Sequence, residues 1–340
     1  MATNESNVMT SHNLLNYSGM LFNKGNTKTP FSTIIGGKSR RTSSWKFATS
    51  VQYTTGGGQS QPAITETQSL TAPTPTFVTR TQESNVCQIF QKAIAISYGK
   101  QSSMGQLSGL NIAGQRANPA TELDFQVANA MAEIANDVEY TFLNGTFQDG
   151  NYDDVAYKTR GILSAVTSNV KAAGTTPLGY WIVAEVIKMI ADGIAPTDTL
   201  VLMCHPTHIM QINADAAANG LTIVPSSMAV NGIRIDTLVT PFGSVGLVPN
   251  ARIAAGTALI FNYTVCAPVE MPVPRKGNFF IEPLAKTGAA DQYQIYGQMG
   301  LDYGAEWYHA KITGLTTTFT APEYSKKVYV AGGTITTESA

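Results

Sequence analysis

Charged side chains are scarce in this sequence of 340 residues. Asp, Glu, Lys and Arg together make up 13% of it, whereas an average soluble domain has roughly 25%. Cysteine and histidine number only three and four, so few common metal ligands and nucleophiles are available. No run of about 18 apolar residues occurs, which excludes a membrane-spanning helix. With 43% hydrophobic residues and so little charge, the chain is typical of a protein that functions against other protein surfaces.

The cysteines and the net charge limit the environment and the partners of the protein. Cys87, Cys204 and Cys266 are odd in number and follow no secretory signal, so we expect reduced thiols and synthesis in the cytosol. The formal net charge of −1 gives no overall attraction to nucleic acid. At this length the chain can form one large domain or two to three smaller ones.

The few charges are unevenly distributed along the chain. Residues 1–46 contain six basic residues against Glu5 alone, which predicts a basic N-terminal arm. The stretch 118–145, NPATELDFQVANAMAEIANDVEYTFLNG, contains five acidic residues and no Lys or Arg. Like charges four residues apart on a helix, such as Glu133 and Asp137, destabilise it by a few tenths of a kcal/mol. We therefore expect basic groups from elsewhere to lie against this acidic strip.

The same stretch predicts one long helix over residues 118–144. Asn118 is a favourable N-cap, Pro119 suits the first helical position, and Asn144-Gly145 is a typical C-terminal stop. At ~1.5 Å per residue such a helix is roughly 40 Å long. Its apolar stripe and its polar strip follow the 100° step between residues; the stripe comprises Leu123, Val127, Ala130, Met131, Ile134 and Val138, and the strip comprises Glu122, Gln126, Asn129, Glu133 and Asp137.

Other segments predict an extended arm, a hairpin and an α/β lobe. Residues 1–40 have no hydrophobic period and are expected to be extended, as is the Thr-rich segment 65–81. Residues 42–84 predict a long β-hairpin with no core of its own, which is marginal in isolation. Residues 161–266 alternate helix and strand, whereas residues 267–314 return to strand character and the Thr-rich tail 315–340 is expected to be extended.

Two short motifs contain residues that could form a phosphate-binding or metal-binding site. The Gly37-Lys38-Ser39 sequence ends like a phosphate-binding loop, but the position that needs the first Gly is Ser32. The sequence MCHPTH (203–208) brings two histidines and a cysteine together, without a second ligand pair. A buried Cys204 with exposed helix-cap histidines, His205 and His208, is the simpler interpretation. Asp153-Asp154 is interpreted as a solvated turn, so no reaction centre, metal site or cofactor site is predicted.

Several ordered strings resemble one family of phage head proteins. They are TPFSTIIGG (29–37), NVCQIFQKAIAIS (85–97), ELDFQVANAMAEIANDVEYTFLNG (122–145), RGIL (160–163) and FFIEPLAKTGAADQYQIYGQMGLDYGAEWYHAKITGL (279–315). They are similar to the major head proteins of phages like the elongated-head phage Su-ten. The order of arm, hairpin, strand, long helix, α/β lobe and returning strands also resembles the Hong Kong 97 fold of tailed-phage capsid proteins.

The resemblance implies an α+β fold with named parts. Residues 1–41 correspond to the N-terminal arm and 42–84 to the extended hairpin called the E-loop. Residues 85–160 correspond to the P-domain with its spine helix at 118–144, and 161–266 to the α/β A-domain. Residues 267–340 correspond to the returning strands of the P-domain and the C-terminal tail.

The resemblance also implies function and partners. The expected function is that of a major capsid protein, not an enzyme, which assembles with copies of itself into the hexamers and pentamers of an icosahedral or prolate shell. The shell would enclose double-stranded DNA without sequence-specific binding, in a virion assembled in the bacterial cytoplasm. A portal and a separate scaffolding protein are expected, because no long N-terminal helical segment is present, and a cement or decoration protein is an option.

Candidate contacts between subunits follow from the charge distribution and the implied fold. Basic groups of the arm or hairpin, from the same or a neighbouring subunit, are expected against the acidic helix; the basic candidates are Lys38, Arg40, Arg41 and Arg80, and the acidic ones are Glu122, Glu133 and Asp137. Trp45 is a further candidate for a contact between subunits. Lys46 is the only lysine of the hairpin and lies at its base, so non-covalent locking is expected and not covalent crosslinking. Two other functions stay open at this point, an encapsulin-type bacterial compartment shell and a soluble α/β enzyme built on residues 161–266.

Overall fold

The computed structural model describes residues 28–53, 61–75, 77–99, 122–151, 153–193, 195–218, 223–230, 233–319, 326–329 and 335–338. The chain divides into two compact units. Unit 1 comprises Met1–Ser32, Lys38–Gly161 and Val265–Ala305, and unit 2 comprises Thr33–Gly37, Ile162–Thr264 and Glu306–Ala340. None of the helices in the described residues is both long and apolar enough to cross a bilayer.

Unit 1 is built around one long strand, β13 (Ala290–Asp302). The sheet consists of β1 (Arg40–Arg41), β4 (Gln88–Ser97), β11 (Ala267–Glu270), β12 (Phe280–Pro283) and β13 (Ala290–Asp302). β4 pairs antiparallel with one edge of β13 from Ala290↔Ser97 to Met299↔Gln88. β11 and β12 pair antiparallel with β13 on the other side, and β1 adds to β11 in parallel. Phe90, Ile94 and Ile96 of β4 are buried, which is the period-2 pattern of a strand with one face in the core.

The long helix α3 (Glu122–Asn144) packs on β4 and β13. Ala130, Ile134 and Val138 are buried at a spacing of four residues, so one side of the helix faces the sheet, as the predicted stripe requires. Met131 is the exception, with 39% of its surface exposed. The predicted helix start at 118–121 lies outside the described residues.

The hairpin consists of β2 (Lys46–Tyr53) and β3 (Arg80–Val86), which pair antiparallel from Lys46↔Val86 to Tyr53↔Arg80 with one bulge between Ala48 and Ser50. The strands agree with the predicted hairpin. The predicted extended conformation of 65–81 is wrong at one place, where α2 (Glu66–Ser69) forms a single helical turn. Thr65 and Gln68 exchange side-chain and backbone hydrogen bonds in a capping box, which offsets the β preference of the threonines.

Unit 2 contains a seven-stranded mixed sheet in the order β5-β14-β10-β6-β9-β8-β7. Its strands are β5 (Val170–Ala172), β6 (Leu200–Cys204), β7 (Ile223–Val230), β8 (Ile233–Thr240), β9 (Gly243–Pro249), β10 (Thr257–Asn262) and β14 (Ala310–Thr313). All five residues of β6 are buried. The short helix α4 (Ile162–Ala165) precedes β5, and α5 (Tyr180–Asp192) and α6 (Pro206–Ala218) are the main helices. Val183, Val186, Ile187 and Ile190 bury one face of α5 in the core of this unit, the spacing of an amphipathic helix.

Two expectations about the chain ends differ from the structure. Within the described part of the arm, Pro30–Ile35 is a helix (α1) and Gly36–Lys38 a 3-10 turn, so this part is not extended; residues 1–27 lie outside the described residues. β14 pairs with β10 and β5 of unit 2, although residues 267–340 were all expected with the returning strands of unit 1. In the tail, β15 (Lys326–Tyr329) and β16 (Ile335–Glu338) pair antiparallel.

Candidate subunit interface

The outer part of the hairpin presents apolar side chains to solvent. Every described residue of 61–75 and 77–79 is exposed. Four of them are large and apolar, with exposed fractions of 71% for Ile64, 84% for Leu70, 87% for Phe77 and 52% for Val78. Clusters of exposed apolar side chains on soluble proteins commonly mark interaction sites. Nothing in the described part of unit 1 covers these residues.

The base of the hairpin, in contrast, is held by a buried amide. The Asn85 side chain is fully buried, and its Nδ2 donates to the carbonyl oxygens of Arg160 (3.1 Å) and Leu301 (2.7 Å). Its Oδ1 accepts the backbone N–H groups of Arg160 (2.8 Å) and Val86 (2.9 Å). Asn85 therefore joins the end of β3 to β13 and to the segment around residue 160. Since two of these bonds are buried and the two with Arg160 are partly buried, together they fix the base in one position.

Two aromatic contacts complete the base. Trp45 stacks on Tyr157 with ring centroids 5.1 Å apart and an interplanar angle of 11°. Phe47 lies so close to β13 that a Cβ on Gly300 would come within 2.8 Å of its ring. Glycine is required at that position because any side chain would displace the aromatic ring or the strand.

The arm is attached to the long helix by a buried carboxylate. Glu139 of α3 is fully buried. Its Oε1 accepts the N–H of Phe31 (2.9 Å), and its Oε2 accepts the N–H (2.7 Å) and the hydroxyl (2.6 Å) of Ser32. A carboxylate at the first turn of a helix satisfies N–H groups that have no partner inside the helix. One acidic residue of α3 is thus stabilised by backbone dipoles and a hydroxyl group of the arm.

The arm's arginines pair with acidic groups of the sheet. Arg40 forms an ion pair with Asp302, whose side chain is only 3% exposed, and Arg41 lies 3.9 Å from Glu270. Burial raises the pKa of Asp302 above its usual 3.8, although the Gly304 N–H and Arg40 act in the opposite direction. Both ion pairs lie beside β1, the strand that continues the sheet into the arm. Among the described residues these two arginines therefore pair with the sheet and not with Glu133 or Asp137 of α3.

Glu133 of the acidic strip has a partner that the sequence analysis did not identify. Lys92 of β4 forms an ion pair with Glu133, and Asn129 also donates to it (3.3 Å). Asp137 is exposed, and the side chain of Glu122 lies outside the described residues. At exposed positions such an ion pair contributes about 0–1 kcal/mol. Contacts of Lys38, Arg40, Arg41, Trp45, Arg80, Glu122, Glu133 and Asp137 with a neighbouring subunit stay predictions.

The contacts of Asn85, Glu139 and Lys92 could not be predicted from the sequence, for one reason. Their roles depend on residues roughly 40 to 220 positions away, and no local pattern records such pairings. A weak signal existed for Glu139, because it lies one position after Val138 of the apolar stripe.

A cavity of about 420 Å³ opens beside the hairpin base. Its apolar wall includes Trp45, Tyr157 and Ile89, and its rim includes Asp153, Asp154 and Lys158. Asn151 shapes the loop, since its Oδ1 accepts the backbone N–H groups of residues 153, 154 and 155. These residues all belong to unit 1.

The histidines and cysteines that could have formed a reactive site have structural roles instead. His208 is buried, contrary to the prediction, because Nδ1 contacts Gln211 Oε1 (2.8 Å) and Nε2 accepts the N–H of Gly256 (3.1 Å). His205 contacts Thr207. Burial raises the pKa of Cys87 and of Cys204 to about 12 and raises that of Cys266 further. Such thiols are unreactive as nucleophiles at neutral pH.

No match to this chain was found among curated proteins. Solved structures with similar folds include the SrpI encapsulin complex of Synechococcus elongatus PCC 7942, with 11% identity, a TM-score of 0.60 and coverage of 91% of this chain and 96% of that one. The capsid of cyanophage A-1(L) has 11% identity and a TM-score of 0.60, with coverage of 90% of this chain and 97% of that one. The capsid of Myoviridae phage XM1 has 15% identity and a TM-score of 0.56, with coverage of 91% of this chain and 99% of that one.

At these identities the structural similarity shows the fold alone, which is the α+β fold shared by phage capsid proteins and encapsulins. The sequence itself carries the assignment further. A profile of the SU10 major capsid protein family matches residues 3–316, which include the arm, the hairpin, the long helix and the sheets of both units except the tail hairpin. The chain belongs to the SU10 family of phage major capsid proteins.

Proposed function

We propose that this protein forms the shell of a tailed double-stranded DNA phage by assembling into hexamers and pentamers. The observation that carries the proposal is the contrast within the hairpin. Its base is fixed by Asn85 and by the Trp45–Tyr157 stack, whereas its outer segment exposes Leu70 and Phe77. A rigidly mounted apolar segment is suited to bury itself on a second copy, because anchoring lowers the entropy lost on association.

In this proposal the named parts of the family fold take their expected roles. Residues 1–41 act as the arm and 42–84 as the E-loop, while 85–160 with the returning strands form the P-domain and 161–266 the A-domain. The chain passes between the two units after residues 161 and 264, close to the expected A-domain boundaries. Because β14 (Ala310–Thr313) pairs with β10, we include it in the proposed A-domain.

The proposed role is structural and not enzymatic. His208 and the three cysteines are buried in the fold, and Asp153 and Asp154 lie in a solvated turn. The net charge of −1 suits a shell that encloses DNA without binding its sequence. A portal, a separate scaffolding protein and a cement or decoration protein complete the proposed set of partners, with assembly in the host cytoplasm and a final location in the virion.

An encapsulin-type compartment is the second candidate, and the similarity to the SrpI encapsulin fold favours it. The family match is to phage major capsid proteins, so that similarity supports only the common fold. The contents of isolated particles separate the two candidates, since a phage head contains DNA and an encapsulin contains protein cargo.

Electron microscopy of the purified full chain tests the proposal over a range of protein and salt concentrations. Closed shells, or rings of five and six copies, are the expected result, and the shell diameter gives the lattice size. A chain that stays monomeric under all these conditions, and also when a scaffolding protein is co-expressed, would contradict the proposal. Turnover that depends on His205 or Asp153 would instead support an enzyme.

A further inference from the structure

Two features of unit 1 are complementary but lie at opposite ends of the hairpin. At the base is the cavity of about 420 Å³ with the aromatic wall formed by Trp45 and Tyr157. At the outer end is Phe77, which is 87% exposed. We propose that Phe77 of one copy inserts into the base cavity of a second copy, with Arg80 of the first copy over Asp153 and Asp154 of the second. This inference rests on the proposed self-assembly and identifies its receptor site.

A chain cannot place its own Phe77 in its own cavity while the hairpin is extended. The ladder runs from Lys46↔Val86 at the base to Tyr53↔Arg80 at the outer end. At ~3.3 Å per residue the distance from Val86 to Arg80 is about 20 Å. Phe77 lies three residues beyond the last pair, and three residues span at most about 10 Å, so the backbone of Phe77 cannot return to the base. If Phe77 occupies the cavity, it must therefore come from another copy.

The cavity offers a suitable environment for an aromatic ring. Trp45 and Tyr157 stack nearly parallel, and the 46% exposed side chain of Ile89 adds aliphatic surface. Aromatic rings pack favourably against one another beyond the effect of the area they bury. Buried aromatic anchors in pockets are also the side chains that dominate the energy of protein interfaces.

The charges around the two features are of opposite sign. Asp153 and Asp154 on the rim have no ion-pair partner among the described residues, and the same holds for Arg80. Lys158 is the one basic residue that lines the cavity, so the rim carries a net negative charge. Arg80 is the only charged residue in the segment 67–82. Complementary charges at the edge of an apolar contact favour one orientation and one partner.

The geometry of this contact has a consequence for assembly. The donor and receptor surfaces are different patches of the same chain, so the contact is heterologous and passes from copy to copy. Such contacts close into rings when the rotation allows it and otherwise extend into larger lattices. A ring of six or five copies is therefore a natural product of a single repeated contact.

Photo-crosslinking tests the inference directly in the full-length protein. Phe77→p-benzoylphenylalanine chains, labelled with 15N, are mixed with unlabelled chains of ordinary sequence, assembled and irradiated. We expect mixed-isotope crosslinks from position 77 to Trp45, Ile89 or the segment 153–158. The same substitution at Leu70, 84% exposed on the same hairpin, serves as the control and is not expected to reach the cavity.

The outcomes separate the inference from the proposed function. Shells whose crosslinks from position 77 go to other surfaces, or remain within one chain, overturn the inference and leave shell formation intact. A chain of ordinary sequence that forms no shells, with or without a scaffold, overturns the proposed function and this inference with it.

Charge reversal gives an independent readout of the same contact. Arg80→Glu should raise the protein concentration needed for half-maximal assembly by at least about tenfold, because it places a like charge against Asp153 and Asp154. Asp153→Lys with Asp154→Lys should do the same, and combining all three changes should restore assembly. Gln82→Glu, on the same exposed strand, is the matched control. All these positions are exposed, so thermal unfolding should be unaltered, and a triple variant as defective as Arg80→Glu alone contradicts the proposed pairing.

Discussion

Glu139 shows at the scale of a single residue how backbone N–H groups can stabilise an acidic residue of the long helix. The carboxylate is fully buried, where an unpaired charge would be costly. Its two oxygens accept three hydrogen bonds from Phe31 and Ser32 at the start of α1. Those N–H groups would otherwise have no partner in the helix. The carboxylate and the helix start therefore satisfy one another, and the arm is held to the long helix.

The variant Glu139→Gln tests this attachment. A neutral amide keeps the shape but removes the charge and one acceptor oxygen, so we expect a loss of about 1–3 kcal/mol in stability. Hydrogen–deuterium exchange should become faster in residues 31–35 and remain unaltered in the seven-stranded sheet of unit 2. Asp137→Asn, an exposed position on the same helix, is the control. Unchanged exchange in residues 31–35 would show that the arm is held by other contacts.

The environment of Glu306 predicts that the stability of the fold depends on pH. Burial raises the pKa of Glu306, but hydrogen bonds from the Ser168 hydroxyl and from the backbone N–H groups of Thr167 and Ser168 outweigh it, so the pKa lies below its usual 4.5. A lowered folded-state pKa means that the unfolded chain takes up the proton first as the pH falls. The stabilisation is therefore complete above about pH 4.5 and is lost as the pH falls through the folded-state value.

Urea unfolding between pH 3 and 7 checks this prediction. Glu306→Gln should be less stable by about 1–3 kcal/mol at pH 7, and the difference from the unaltered protein should shrink towards pH 3. Glu185→Gln, on an exposed ion pair with Lys171, is the control, for which a small effect is expected. A constant difference at all pH values would contradict the role of the ionised carboxylate.

At the scale of elements, the hairpin depends on its base. Asn85→Ala removes four hydrogen bonds at once, two of them buried and two partly buried, and leaves backbone groups of Val86, Arg160 and Leu301 without these partners. We expect a loss of roughly 2–4 kcal/mol, the upper part of the range for disrupted buried networks. Chemical denaturation measures it, with Gln82→Ala on the exposed part of β3 as the control. Equal stability of the two variants would show that Asn85 does not hold the base.

The elements that could be predicted from the sequence are those with a strong local period. The apolar stripe of α3 and the buried face of α5 follow the helical repeat, and β2 alternates on either side of its bulge. The helical turn after Thr65 was not predicted, because the capping box that begins it was not recognised in the sequence. The helix α1 was missed because its start is stabilised by Glu139, 107 residues from Ser32. Pairings such as Lys92 with Glu133 likewise depend on the fold and not on the local sequence.

At the scale of the whole molecule, low charge and an uncovered hairpin point to the same conclusion. A chain with 13% charged residues has little electrostatic repulsion to keep copies apart. Its outer hairpin exposes apolar side chains that are not covered in the described part of the chain. Folding of the single chain and assembly of the shell should therefore depend on different residues.

Replacing residues 54–79 with Asn-Gly separates the two processes. The new turn joins Tyr53 to Arg80, which already face each other across the ladder, and Asn-Gly is the preferred two-residue connection. The described residues that it removes are all exposed, so thermal unfolding of the monomer should change by no more than a few degrees. Shell formation should be lost, because the segment that carries Leu70 and Phe77 is gone. Light scattering and electron microscopy measure assembly, and a substitution of Thr71 by Ser in the full hairpin is the control. If the shortened chain still forms closed shells, the outer hairpin is dispensable and the subunits must be held by the arm and the two units alone.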